Sequence, residues 1–134
     1  MITTPRPVMS VRSPEELHPA FTAAFNARDL DALLALYEEG TAVAPAPGVV
    51  VTGHAAIRAA LGGFLALNGP IAMATTAIIP AGDLALLHAT WTLDGTGPDG
   101  GPVALAGRSS EVIRRQADGT WRFIIDSPSS VDAT

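Results

Sequence analysis

The stretch Gly107-Arg-Ser-Ser-Glu-Val-Ile-Arg-Arg-Gln-Ala-Asp-Gly-Thr-Trp-Arg-Phe-Ile-Ile-Asp-Ser-Pro128 decides the architecture. It reads as the core of two strands, Val103–Gln116 and Trp121–Asp126. The loop Ala117-Asp118-Gly119-Thr120 between them carries an Asp-Gly pair, a strong hairpin signal. Working backwards, Leu84–Leu93 and Ile71–Ile79 are two further apolar strand-like runs. Pro80-Ala81-Gly82-Asp83 and the Gly- and Pro-rich residues 94–102 punctuate them. The C-terminal half is therefore expected to be a four-stranded antiparallel meander.

The N-terminal half has helical spacing. Ser13-Pro14-Glu15-Glu16 supplies a cap, a proline suited to the first helical position and a glutamate at capping-box distance. Leu17, Phe21, Ala24 and Phe25 then recur at helical period, to about Ala27. Asp29 caps a second helix carrying Leu30, Leu33, Leu34 and Tyr37, which Gly40 is expected to end. A small hairpin follows, from Thr41–Ala44 and Val49–Thr52 around Pro45-Ala46-Pro47-Gly48. Gly53-His54 opens a third helix with Ile57, Ala60, Leu61, Phe64 and Leu65 on one face, and Asn68-Gly69-Pro70 closes it. Helices followed by strands predict an α+β fold, three helices packed on one face of a strongly curved sheet. The expected organisation is a flexible arm over 1–12, a single domain over 13–128 and a polar tail over 129–134.

Composition narrows the chemistry. All eight basic residues are Arg, against 13 acidic residues, for a net charge of -5. Without Lys there is no Schiff-base route and no phosphate-loop lysine. Without Cys there is no thiolate nucleophile, disulfide or thiolate metal site. An acidic chain with no basic cluster is a poor nucleic-acid partner. The first residues lack a secretory pattern and no apolar run reaches membrane-spanning length, so a cytoplasmic protein with no membrane contact is expected. Hydrophobic residues reach 48% while aromatics stay at 5%. Such small side chains fit either tight packing or a sizeable cavity.

Three segments resemble the nuclear-transport-factor-2-like superfamily, which includes ketosteroid isomerase and the SnoaL-like polyketide cyclases. They are Phe25-Asn-Ala-Arg-Asp-Leu-Asp-Ala-Leu-Leu-Ala-Leu-Tyr37, Val51-Thr-Gly-His-Ala-Ala-Ile57 and the closing hairpin Gly107–Pro128. The resemblance implies a cone-shaped fold with an apolar pocket and a mixed, mostly antiparallel sheet. Ketosteroid isomerase uses a carboxylate base with a Tyr and a protonated Asp as oxyanion donors. Carried onto this chain, the tyrosine position falls on Phe21, the base on Pro45 and the protonated acid on Glu111. Two of the three groups cannot perform those roles here.

Strand alternation selects the remaining candidates. Ser109 and Glu111 share one face, which the resemblance turns into the cone. By the same alignment, Ile124 and Asp126 look inward from the last strand, unless a bulge intervenes. Glu111 and Asp126 in one dry pocket would form an acid/base pair. The competing reading pairs Glu111 with an Arg and has Asp126 anchor the Ser127-Pro128 turn. His88 would add a general base if it faced the same cavity. Phe64 and Trp91 are candidate pocket walls, while Tyr37 reads as core and His18 as solvent-facing. The three His lack metal-ligand spacing. The expected activity is binding, or cofactor-free isomerase- or cyclase-like conversion, of a small hydrophobic molecule. The alternative is a non-catalytic binding or association module. A homodimer through the outer sheet face is expected, since apolar side chains such as Val112 there need cover.

Overall fold

The computed structural model describes residues 11–128. Most of the expected arm, residues 1–10, and the tail, 129–134, lie outside the described residues. Val11, placed in that arm, is buried, and its carbonyl accepts from Trp121 N at 2.9 Å. A 3-10 turn, Pro14–Glu16, leads into α1, Leu17–Asn26. The Glu16 carboxylate accepts the Arg12 and Ser13 amides at 2.6 and 3.3 Å, which fixes this helix start. Then come α2, Leu30–Leu34, β1, Tyr37–Ala46, β2, Val49–Thr52, and α3, His54–Leu65. The strands β3, Ile71–Ala81, β4, Leu84–Thr96, β5, Pro102–Arg115, and β6, Trp121–Ser127, complete the chain.

The six strands form one sheet in the order β2-β1-β6-β5-β4-β3. β1 runs parallel to β6, and every other pair is antiparallel. The α+β cone is thus the observed fold, with a wider sheet than the meander alone. The helices cover its concave face, and Leu17, Phe25, Leu33, Ile57, Leu87, Leu93 and Ile113 are sealed between the layers. Asn26 pins α1 to the start of β3, its side-chain amide bonding both N and O of Ile71 at 2.9 and 3.0 Å.

The second helix is shorter than its periodicity predicts. Asp29 does cap it, accepting the Ala32 amide at 3.0 Å, but it ends at Leu34 and Tyr37-Glu38-Glu39-Gly40 belongs to β1. The cause is long-range pairing. Phe123 N donates to Leu36 O at 2.7 Å, and Thr41 Oγ1 reaches Phe123 O at 2.6 Å. These β6 contacts outweigh what a few more residues of a short helix would contribute, although Ala35, Leu36, Glu38 and Glu39 are good helix formers.

Of the register shifts in the sheet, two bear directly on the site. On β6 the register passes from Val112↔Ile125 to Ile113↔Phe123, skipping Ile124. Phe123 and Asp126 therefore both point inward although three residues apart, and Ile125 is turned out. On β3 the register shifts between Thr75 and Ala77.

Candidate functional site

The cone is closed at its inner end by side chains from β1, β5 and β6. Phe21 and Phe25 of α1, Ile57, Leu61 and Phe64 of α3, and Met73, Trp91 and Phe123 of the sheet make its apolar wall. The cavity, open on one side, measures about 60 Å³, room for roughly four waters. Including its open mouth, the funnel holds about 670 Å³. Phe64 and Trp91 meet edge to face at 6.4 Å. Trp91 lies over Gly107, its register partner, where a Cβ would come within 2.9 Å of the indole. Its Nε1 donates to Pro128 O at 2.7 Å, holding the end of β6 against the mouth.

Against this wall stand four polar side chains. Glu111 and Asp126 are direct cross-strand partners on β5 and β6, and both line the cavity. Tyr37 donates its hydroxyl to Asp126 Oδ2 at 2.7 Å. The Tyr37 carbonyl meets His54 Nε2 at 2.9 Å, so the start of α3 steadies the strand that carries the phenol. Ser109, two residues before Glu111, is 3% exposed, and its hydroxyl lines the cavity without a hydrogen-bond partner.

Behind Glu111 lies His18. Its Nε2 is 2.7 Å from Glu111 Oε1 and its Nδ1 is 2.7 Å from Thr75 Oγ1. His18 is 2% exposed rather than solvent-facing. It sits three and seven residues before Phe21 and Phe25, on the buried stripe of α1, and that spacing is the signal that locates it. The contacts differ from the arginine-and-turn reading of the carboxyls: Glu111 pairs with a histidine rather than an arginine, and Asp126 with a tyrosine rather than the chain end.

Electrostatics set Asp126 and its tyrosine partner apart from ordinary surface groups. Burial, then the nearby Glu111 charge, pushes Asp126 up to about 7 against the opposing pull of the Tyr37 hydrogen bond. Burial and the Asp126 charge hold the Tyr37 phenol well above its usual value. Asp126 therefore changes charge near neutrality, where a proton-transfer group is most useful.

The sequence-derived residues divide accordingly. Phe21, Phe64, Trp91, Ser109, Glu111 and Asp126 converge on the cavity. Ile124 does not, because the bulge puts Phe123 in its place. His88 does not either. It alternates with buried Leu87 and Ala89 and bonds Ser110 Oγ at 2.8 Å on the opposite face from Glu111. Tyr37 and His18 are the polar site residues that the sequence reading placed in the core and toward solvent. Pro45 lines the cavity without a titratable group. Among the described residues no cluster of three or more His, Asp or Glu is placed to hold a metal, and no helix is long and apolar enough to cross a membrane.

A curved, mostly antiparallel sheet covered by three helices in this order is the NTF2-like cone fold. Residues 19–124 match the SnoaL-like domain, and the chain belongs to that family. A ketosteroid isomerase-like protein from Erwinia carotovora atroseptica superposes with a TM-score of 0.75 at 19% identity, over 88% of this chain and 93% of the other. A candidate calcium/calmodulin-dependent protein kinase II association domain from Xanthomonas campestris gives 0.75 at 19% identity, over 90% and 86%. A candidate dehydratase of the NTF2-like family from Streptomyces avermitilis gives 0.70 at 19% identity, over 87% and 94%. These identities carry the fold alone. No curated protein matches the sequence.

Proposed function

We propose that the protein is a cofactor-free proton-transfer enzyme, of isomerase or cyclase type, acting on a compact apolar carbonyl compound. The observation that carries this reading is the opposed Glu111–Asp126 pair at the closed end of an apolar cone. Glu111 accepts a proton from the carbon next to the carbonyl. The bonding pair moves into a new carbon–carbon double bond, and the carbonyl electrons move onto oxygen. Neutral Asp126, with Tyr37 on its Oδ2, offers its remaining oxygen's proton to that oxyanion. Returning the proton from Glu111 to a different carbon completes an isomerisation. The unpartnered Ser109 hydroxyl gives the ligand a second polar contact, and Phe21, Phe64 and Trp91 orient its apolar body.

The test is deuterium uptake by small cyclic enones in D2O, followed by NMR, in the wild type and in Glu111→Gln and Asp126→Asn. The wild type should incorporate deuterium, and Glu111→Gln should lose at least about 100-fold in rate while still binding. Enones that bind the wild type without exchange would sink the enzymatic reading.

A second reading, a non-catalytic binding or association module, draws on the outer surface. Ile125 is 49% and Val50 68% exposed, with Ile79 and Leu84 also uncovered. The similarity to a candidate association domain points the same way. A homodimer through this face is part of either reading. Sedimentation would detect it, and a concentration-independent monomer mass would refute it. The cytoplasm is the proposed compartment.

A further inference from the structure

Glu111 is shut away from solvent, yet a chain of polar contacts leads from it to the surface. Glu111 Oε1 meets His18 Nε2 at 2.7 Å, and His18 Nδ1 meets Thr75 Oγ1 at 2.7 Å. Glu111 and His18 are each 2% exposed, whereas Thr75 is exposed. The placement is built by the sheet. In the cross-strand row Thr75–Ala89–Ser109, the central residue is a fully buried alanine, and its small side chain leaves height for an imidazole above β4. The β3 register shift falls immediately after Thr75.

We propose that Glu111, His18 and Thr75 form a proton outlet that keeps the buried dyad neutral when Glu111 changes protonation state. In the ion-paired form both ring nitrogens carry hydrogen, Nε2–H toward Glu111 and Nδ1–H toward Thr75 Oγ1. When Glu111 gains a proton, the negative charge opposite the ring disappears and an unpaired cation is left in a dry layer. The Nδ1 proton then passes to Thr75 Oγ1, and the Thr75 hydroxyl proton passes to surface water. One proton enters at Glu111 and one leaves at Thr75. The ring ends neutral with Nε2–H still donating to Glu111, and Thr75 donates to the bare Nδ1. The reverse sequence recharges the ring when Glu111 gives its proton up. His18 is thus a positioning and charge-balancing residue, acting through Glu111 rather than on the ligand.

This inference rests on Glu111 accepting a proton, as proposed above, but its test reads the ring and not turnover. The histidine side chains are labelled with ¹⁵N and observed by NMR in the full chain. Glu111→Gln imitates the neutral carboxyl, and it should convert a doubly protonated His18 ring to the neutral form with hydrogen on Nε2. Thr75→Val, at an exposed position that accepts a β-branched side chain, should slow exchange of the ring proton with water at least ten-fold, and Thr75→Ser should restore it. An unchanged exchange rate in Thr75→Val, or a ring with the same charge in the wild type and Glu111→Gln, overturns the outlet. A responsive ring in a protein that exchanges no enone deuterium keeps the outlet and removes the enzymatic reading.

Discussion

Two carboxylate contacts of equal length sit in opposite surroundings. His18 Nε2 meets Glu111 Oε1 at 2.7 Å inside the cone, where both side chains are 2–3% exposed. Arg114 Nη2 meets Glu38 Oε1 at 2.7 Å at the rim, with exposures of 50% and 21%. The outer carboxyl behaves as a surface acid, its arginine hydrogen bond holding Glu38 below its usual value. Beside the inner pair, burial drives Asp126 the other way, to about 7. Bond length therefore says little about what a carboxylate does here. Water at the rim screens the charge, while burial inside leaves it far less screened.

Removing His18 should break the comparison most severely. His18→Ala strands the buried Glu111 without its partner, and urea unfolding should report a loss of about 3–5 kcal/mol. Tyr37→Phe comes next. It leaves Asp126 without its hydroxyl donor, at a cost of about 1–3 kcal/mol. Because that hydrogen bond pulls the Asp126 value down, carboxyl NMR of the variant should place Asp126 above its present value of about 7.

A pH series sharpens the contrast further. The folded Asp126 carboxyl keeps its proton up to about pH 7, while an unfolded one releases it near 3.8. Between those values the folded state binds more protons, so stability from this group falls as pH rises. It is complete below about pH 4 and is lost as pH rises through 7. The stability difference between the wild type and Asp126→Asn, measured by urea unfolding from pH 4 to 8, should slope downward across that window. A flat difference would contradict the raised value. The smallest effect is expected at the rim: Arg114→Ala should leave the unfolding midpoint almost unchanged, and the remaining shift should shrink further in high salt.

Most of the scaffold was legible because its signals are local. The Asp118-Gly119 turn is one, and Gly119 takes a φ of +86° there. The strand β2 and the opening of α3 at Gly53-His54 are others, Gly53 having a φ of +88°. The site was half legible. Alternation along β5 identified Ser109 and Glu111, since that stretch of the strand is regular. On β6 one skipped residue exchanged Ile124 for Phe123 as the inward side chain. Tyr37 was hidden because its helical spacing is genuine, and only the distant β6 strand draws it into a sheet.

The sequence by itself determined the α+β class and the absence of Lys and Cys chemistry, and through the family resemblance it named Glu111 and Asp126 as candidates. Hydrogen-bonding capacity, turn residues and short-range periodicity are properties of neighbours along the chain. Tertiary structure alone decided the partners of those carboxylates. His18 reaches Glu111 across 93 residues and Tyr37 reaches Asp126 across 89. Contacts that distant depend on how helix and sheet layers stack and where a bulge falls, and those depend on the packing of the whole core.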